Sequence, residues 1–392
     1  MFGDVSQELI VIAGVSWLIA MGIVIRVLSL KWALPIVTLK IGLVVVYFAW
    51  FYDGTWTIGD DKEYQIQALE LLGMGFNPFS MLFTHDGFDT LWNVASRSRH
   101  LLYTWWVYTS EYVFSPDYYT PVFMNVVLTF VAGVILYRLC ISEGFSRKYA
   151  KGLLIVFLLH WDILVWSSLI SIKDTLVMTL TIAVFGLAYP LIKNLSIDMK
   201  NFIRLIGLAI IIYTLTFLRF YLPVLLLGSI ALYIVIGRGG VRHYYTFIAI
   251  VSVLIIIVIF TPLIQFHIDK EIVFSGKEFL FGIIRFPLTP RPWSLEPAYT
   301  FLFFPAILHW LMFIPAIIGG YILWHRSDLC RLLIIYIFVV IVFYATVVVL
   351  QNTRMRYQLT YILVWMQYHS IVVIWQYFRK KYSPVFAHST SA

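Results

Sequence analysis

The chain has 392 residues, of which 61% are hydrophobic and only 12% are charged, and its net charge at pH 7 is +8. The charged share is about half that of an ordinary soluble domain, and a soluble protein this apolar could not cover its surface with polar atoms. The composition therefore excludes a soluble enzyme and a disordered chain, and two cysteines are too few for a disulfide scaffold.

Apolar segments long enough to cross a bilayer recur along the chain and predict an all-α fold, a polytopic transmembrane helical bundle with about 11 spans. The predicted spans are 7–30, 33–52, 118–138, 152–168, 174–192, 203–218, 220–237, 244–266, 301–323, 332–350 and 357–378. The weakest is 152–168, because it contains His160 and Asp162. The stretch 101–114 is too short to span, and its aromatic residues suit the membrane interface.

The distribution of Lys and Arg predicts the orientation of these spans. Most of these residues fall in short loops on one side of the membrane if the N-terminus lies outside and the C-terminus inside. The net positive charge is then a feature of topology and does not indicate nucleic-acid binding. The whole chain, 1–392, is expected to be one integral membrane domain, with the long outer loops 53–117 and 267–300 around an active-site mouth.

Acidic residues gather in the first long outer loop. They are Asp53, Asp60, Asp61, Glu63, Asp86 and Asp89, with His85 among them. The run at 59–75 predicts an amphipathic helix with Tyr64 on its apolar face. Asp60 is expected to cap this helix in a capping box with Glu63. A carboxylate held there could also act as a general base on an incoming hydroxyl, and the two roles are compatible.

A second polar group occupies the tight outer turn WSSLISIKDTL, residues 166–176. Asp174 in the first turn of a helix is favoured by the helix macrodipole, whereas Lys173 is disfavoured there and requires an anionic partner. That partner is either a carboxylate such as Asp162 or the phosphate of a ligand. Asp162 lies inside a predicted span, where a carboxylate is costly and is therefore a functional candidate by default. The alternative is that it forms a buried ion pair with Lys173 or Arg219.

A third group consists of arginines near predicted outer span ends. They are Arg219, Arg285, Arg291, Arg354 and Arg356. Arginines on the outer side run against the positive-inside bias, and their guanidinium groups match phosphate oxygens in bidentate geometry. This group predicts a site for a phosphate or pyrophosphate.

Motifs for soluble nucleotide donors and for metals are absent from the sequence. There is no P-loop, no GxGxxG and no Cys/His metal spacing, so a donor would be carried on a lipid. No cofactor is predicted with certainty, and no metal is required. A divalent cation could still be held by Asp53, Asp86 and Asp89.

Three of these segments together resemble the GT-C superfamily of polytopic glycosyltransferases. GDDKEYQIQA is similar to the superfamily's acidic motif in the first outer loop, with Asp60 matching best and Asp61 as the neighbouring alternative. WSSLISIKDTL resembles a turn found in bacterial members that build surface polysaccharides. TRMRYQLTYIL resembles the start of a late span, with Arg354, Arg356 and Tyr357 at or near matched positions. The chain departs from the common pattern in having two predicted spans before the acidic motif.

The resemblance implies an inverting glycosyltransferase that uses a polyprenyl-phosphate-linked sugar on the extracytoplasmic face of the bacterial inner membrane. Its partners would be this donor, a glycan or lipid-linked acceptor, and membrane lipids. Asp60 or Asp61 would be the base. The residues expected to bind the lipid phosphate are Lys173, Arg219, Arg354, Arg356 and Tyr357. An O-antigen or exopolysaccharide polymerase or ligase is the nearest alternative, followed by a polysaccharide or lipid transporter.

Overall fold

The computed structural model describes residues 6–54, 58–95, 100–194, 196, 198–237, 276–346 and 353–387. Every regular element within these ranges is a helix, in agreement with the all-α prediction. The predicted span 244–266 lies outside the described residues, as does the first part of the predicted loop 267–300.

Eighteen helices, numbered here in chain order, make up the described part of the chain. They are α1 Gln7–Val24, α2 Leu30–Val46, α3 Gly59–Met74, α4 Pro78–Met81, α5 His85–Ala95, α6 Leu101–Val113, α7 Tyr119–Ser142, α8 Arg147–Leu158, α9 Trp161–Ser168, α10 Asp174–Lys193, α11 Met199–Thr216, α12 Leu222–Gly237, α13 Gly276–Leu288, α14 Phe303–Leu311, α15 Phe313–Arg326, α16 Asp328–Thr346, α17 Thr353–Tyr357 and α18 Thr360–Ala387. A π-helical turn, Tyr47–Phe51, extends α2, and two 3₁₀ turns, Pro292–Ser294 and Pro297–Leu302, precede α14.

Six straight helices in the described ranges are long and apolar enough to cross a membrane. They are Gln7–Val24, Leu30–Phe51, Tyr119–Ser142, Asp174–Lys193, Met199–Thr216 and Asp328–Ala345. Two bent helix pairs raise the number to as many as 8. The figure of eleven spans is therefore confirmed only in part. Leu222–Ile236 is an apolar helix but a short one. Most of the predicted span 357–378 lies within the long helix α18, which begins at Thr360.

Both bent pairs have a local chemical cause. The α8–α9 pair bends by 47° where His160 caps α9, its side chain accepting a hydrogen bond from the backbone N–H of Asp162 at 3.3 Å. The α14–α15 pair bends by 51° around Met312. Pro315, three residues further on, has no N–H to donate and so interrupts the backbone ladder. The predicted span 152–168 is thus a broken one, with its polar residues at the break.

The segment 53–117 is not an open loop. It folds into the short helices α3 to α6, in which α3 packs on α6 and α6 packs on α7. α7 is central, since it also contacts α1, α2, α8, α9 and α10. This packing fixes the start of α3 beside the start of α10, although the two are far apart in the sequence.

The closest helix packing in the described structure joins α15 to α18 through two glycines. A Cβ atom added at Gly319 would collide with the backbone carbonyl of Met366, and one added at Gly320 would collide with the Met366 side chain. Small residues at such crossings allow two helix backbones to approach closely, which is a common means of helix association in membranes.

Gly319→Ala is expected to destabilise the protein by about 1–3 kcal/mol, because the Met366 carbonyl is backbone and cannot move aside. The measurement is thermal unfolding of the purified protein in detergent. Gly14→Ala is the matched control, since a Cβ there has open space. Equal melting temperatures for the two variants would contradict the tight crossing.

Candidate functional site

Five charged side chains from distant parts of the sequence meet at one end of the bundle. We call them the charged cluster: Asp60, Lys173, Asp174, Arg219 and Arg354. They come from the first turn of α3, the start of α10, the turn after α11 and the short helix α17. Each element contributes its residue where a helix begins or ends, so the cluster occupies a single end of the bundle.

Asp174 lies at the centre of the charged cluster and is completely buried. One carboxylate oxygen pairs with Arg219, and the other accepts a hydrogen bond from Arg354 Nε at 2.6 Å. Arg354 also reaches Asp60, with 2.6 Å between Nη1 and Oδ2. Arg354 therefore bridges a buried carboxylate and the half-exposed Asp60, whose side chain is 47% accessible.

Lys173 is 4% exposed, and its ammonium makes neither an ion pair nor a hydrogen bond among the described residues. Burial lowers the pKa of its ammonium well below the usual value, and Arg354 and Arg219 lower it further. The charged cluster holds three basic groups and two carboxylates, so an anion bound there would balance the charge and keep Lys173 protonated.

Two buried guanidinium nitrogens in the charged cluster have no hydrogen-bond partner in the part of the chain that the structure describes. These atoms are Nη2 of Arg354 and Nε of Arg219. Leaving a buried donor unpaired is costly, all the more so when the donor carries charge. Together with Lys173, they present unused donors that suit an anion such as phosphate.

The pKa of Asp60 is lowered despite its partial burial, which by itself would raise it. The ion pair with Arg354 outweighs the burial, and Lys173 adds a smaller attraction. Asp60 is therefore a carboxylate at neutral pH. The predicted cap is wrong, because α3 begins at Gly59 with Ile58 in the N-cap position, and Glu63 instead accepts a hydrogen bond from Gln67. As a first-turn residue, Asp60 is free to reach Arg354.

Asp61 has a different environment from Asp60. It is completely buried, and its Oδ1 accepts backbone N–H groups from Ile58 at 3.2 Å and Lys62 at 2.8 Å. Its Oδ2 accepts the Tyr118 hydroxyl at 2.6 Å. These contacts show Asp61 fixing the start of α3 against α7.

The turn that carries Lys173 is held by three polar side chains that the sequence analysis did not identify. The Tyr118 hydroxyl accepts the Ser171 N–H at 3.3 Å, and the Tyr103 hydroxyl lies 3.2 Å from Ser171 Oγ. Asn125 donates to the carbonyl of Ile172 at 3.2 Å. A tyrosine or asparagine inside an apolar helix carries no sequence signal for such a long-range contact.

Asp162 pairs with Arg356, with 3.1 Å between Oδ2 and Nη2, and both side chains are 2% exposed. The partners suggested by the sequence for Asp162, namely Lys173 and Arg219, are not its partners. Arg356 thus forms a second buried pair apart from the charged cluster. Its Nε and Nη1 atoms and Asp162 Oδ1 find no hydrogen-bond partner among the residues described.

Tyr64 and Tyr357 are both buried. Tyr64 lies within electrostatic range of Arg354 and Asp60. Its ring packs edge-on against that of Tyr103, with the ring centroids 4.8 Å apart. The Tyr357 hydroxyl lies 3.4 Å from Thr175 Oγ1. Both tyrosines therefore form part of the wall behind the charged residues.

Several predicted site residues do not join the charged cluster. His85 and Asp86 on α5 have side chains that are 86% and 97% exposed, and His85 pairs with Asp89 at 3.0 Å. Arg285 is half-buried in the last turn of α13, and Arg291 is exposed beyond it. Neither arginine takes part in the ion pairs described above.

His100 is a residue near the charged cluster that the sequence analysis missed. Burial lowers its pKa, and Lys173, Arg354 and Arg219 lower it further, so the ring is neutral. Its ring lies beside the backbone of Leu218, and its Nδ1 atom has no hydrogen-bond partner within the described ranges. A histidine before a short aromatic helix offers no pattern from which this placement could be inferred.

The acidic residues proposed for a divalent cation are not gathered into a metal site. In the ranges covered by the structure, no group of three or more His, Cys, Asp or Glu side chains is arranged to hold a metal ion.

Asp174→Asn is expected to destabilise the fold by about 3–5 kcal/mol, because it leaves two buried arginines without their shared counter-charge. Thermal unfolding in detergent measures the effect. Asp86→Asn, a change at an exposed carboxylate, is expected to leave the melting temperature unchanged. An unchanged melting temperature for Asp174→Asn would mean that the ion pairs around it contribute little.

Comparison of the chain with protein-family models, with curated proteins and with solved structures finds no match in any of the three. Any inference about function therefore rests on the residues and their geometry.

Proposed function

We propose that this protein is a membrane glycosyltransferase that moves a sugar from a polyprenyl-phosphate-linked donor to a glycan or lipid-linked acceptor, with inversion at the anomeric carbon. The charged cluster is its active site, on the extracytoplasmic face. The proposal agrees with the resemblance of three sequence segments to the GT-C superfamily.

One observation carries the proposal: the three segments of that resemblance meet in the charged cluster. Asp60 from the first, Lys173 and Asp174 from the second, and Arg354 from the third lie in contact or in charge–charge range of one another. Their meeting joins a half-exposed carboxylate to a group of cations in which donors remain unused.

Asp60 suits the role of general base better than Asp61. Its side chain is partly accessible to an acceptor, whereas Asp61 is buried and occupied by backbone and tyrosine hydrogen bonds. In the reaction, Asp60 takes the proton of the acceptor hydroxyl as that oxygen forms a bond to the anomeric carbon. The bond between this carbon and the phosphate oxygen breaks, and the electron pair leaves with the lipid phosphate.

The ion pair between Asp60 and Arg354 keeps Asp60 ionised but weakens it as a base. A donor phosphate would compete for Arg354, whose Nη2 is already unused. This exchange of partners would let the pKa of Asp60 rise towards its ordinary value when the donor is bound. The base would then gain strength only in the presence of substrate.

Lys173, Arg219 and Arg354 would stabilise the charge that develops on the departing phosphate. Fixed charges in a site shielded from water are often the largest contribution to catalysis. Asp174 positions the two arginines through its ion pairs with them, and the Tyr357 hydroxyl contacts Thr175, the next residue of α10.

The arginines also favour a second candidate, a polymerase or ligase acting on lipid-linked saccharides. Arg219 and Arg354 are both more than nine-tenths buried, and such an enzyme would depend on arginines and need no carboxylate base. The Asp60 variant below separates the two candidates.

Asp60→Asn is expected to lower turnover by about 10²- to 10⁴-fold while donor binding persists, because only the proton acceptor is lost. The assay incubates purified protein with polyprenyl-phosphate sugars and follows release of the lipid phosphate. Asp61→Asn is expected to lower the melting temperature, since it weakens the start of α3. Full activity of Asp60→Asn would reject the carboxylate mechanism and favour the polymerase or ligase.

Lys173→Gln is expected to lower kcat by about 10²- to 10³-fold, because a buried cation facing the leaving phosphate is removed. The same assay measures it. Lys62→Gln is the matched control, being an exposed lysine in α3 next to the acidic motif. Equal activity of both variants would show that Lys173 does not contact the leaving group.

A further inference from the structure

A second charged feature lies at the other end of α7 from the charged cluster. It is a cavity of about 440 Å³ lined by Arg26, Arg138, Arg147 and Lys151, together with Val27, Tyr137 and Ile141. We call it the basic pocket. Tyr118, beside the start of α7, contacts the Lys173 turn, and Arg138 follows twenty residues later. At 1.5 Å per residue these two positions are about 30 Å apart along α7, close to the thickness of a bilayer core.

The basic pocket has four cations and no carboxylate in its lining. Within the ranges that the structure describes, none of the four side chains makes an ion pair or a hydrogen bond. Glu143 is close in sequence but accepts from Ser327 and pairs with Lys193. The described part of the chain therefore supplies no carboxylate that pairs with the cations of the basic pocket.

The positions of two of the cations make this charge unfavourable without an anion. Arg147 and Lys151 are four residues apart on one face of α8, where like charges repel. Arg147 is also the first residue of α8, where the helix macrodipole opposes a cation. A bound anion would offset both effects at once.

The apolar part of the basic pocket indicates what kind of anion fits. Val27 and Ile141 line it beside the cations, and the neighbouring surface of α1 exposes Ile19 and Ile25, 42% and 46% accessible. A free phosphate has no apolar part that could contact these residues, whereas a phospholipid carries acyl chains next to its phosphate. Basic pockets between membrane helices are known to suit anionic headgroups.

We propose that the basic pocket binds the headgroup of an anionic phospholipid, and that four cations suit a headgroup with two phosphates better than one with a single phosphate. The site is separate from the charged cluster and does not depend on the function proposed for it. Binding there would tie the turn between α1 and α2 to α7 and α8.

The experiment compares wild type with the double variant Arg138→Gln/Arg147→Gln. Each full-length protein is purified in neutral detergent and titrated with cardiolipin, with phosphatidylglycerol and with inorganic phosphate, and bound ligand is counted by native mass spectrometry. We expect wild type to retain one cardiolipin, with phosphatidylglycerol bound more weakly. The double variant is expected to bind cardiolipin about 10- to 30-fold less tightly.

Lys200→Gln/Arg379→Gln is the matched control, since it removes the same charge from exposed sites outside the basic pocket. It is expected to bind cardiolipin as wild type does. Equal loss in the control would mean general surface attraction and would overturn the proposal. Unchanged binding in the Arg138→Gln/Arg147→Gln variant would overturn it too, and a melting temperature equal to that of wild type shows that a loss of binding does not come from misfolding. Phosphate competing at similar concentrations would identify an anion site without lipid selectivity, which would also contradict it.

Discussion

The arrangement of this end of the bundle depends on the burial of one carboxylate, Asp174. A carboxylate removed from water is tolerated only where counter-charges and hydrogen bonds replace its hydration. Arg219 and Arg354 supply these from two other parts of the chain, and Arg354 extends the network to Asp60. The position of α10 is thereby coupled to the turn after α11, to α17 and to the start of α3.

The same constraint explains why the charged cluster is incomplete. Asp174 can satisfy only part of the donors around it, so among the described residues Arg354 Nη2 and Arg219 Nε have no hydrogen-bond partner and the Lys173 ammonium forms no ion pair. Under the function proposed above, an anionic substrate would complete this excess of buried donors next to a half-exposed carboxylate.

Polar residues inside the apolar helices act as breaks as well as contacts. His160 ends one helix and caps the next, which brings Asp162 to face Arg356 at the start of the last long segment. Pro315 interrupts a second helix, while Gly319 lets α15 and α18 approach. A few exceptions to the apolar composition of the bundle therefore set its bends and its closest helix crossing.

The sequence alone determined the helical membrane class and most of the straight spans, because hydropathy is a local property that each segment carries by itself. It also identified Asp60, Lys173, Asp174, Arg219 and Arg354 as candidate site residues, since charged residues in or beside apolar spans are costly and therefore often functional. Only the tertiary structure decided that Asp162 pairs with Arg356, that Asp61 anchors α3, and that His100 and Tyr118 lie beside the charged cluster. These contacts join residues many positions apart, and helix packing, which no local pattern encodes, chooses their partners.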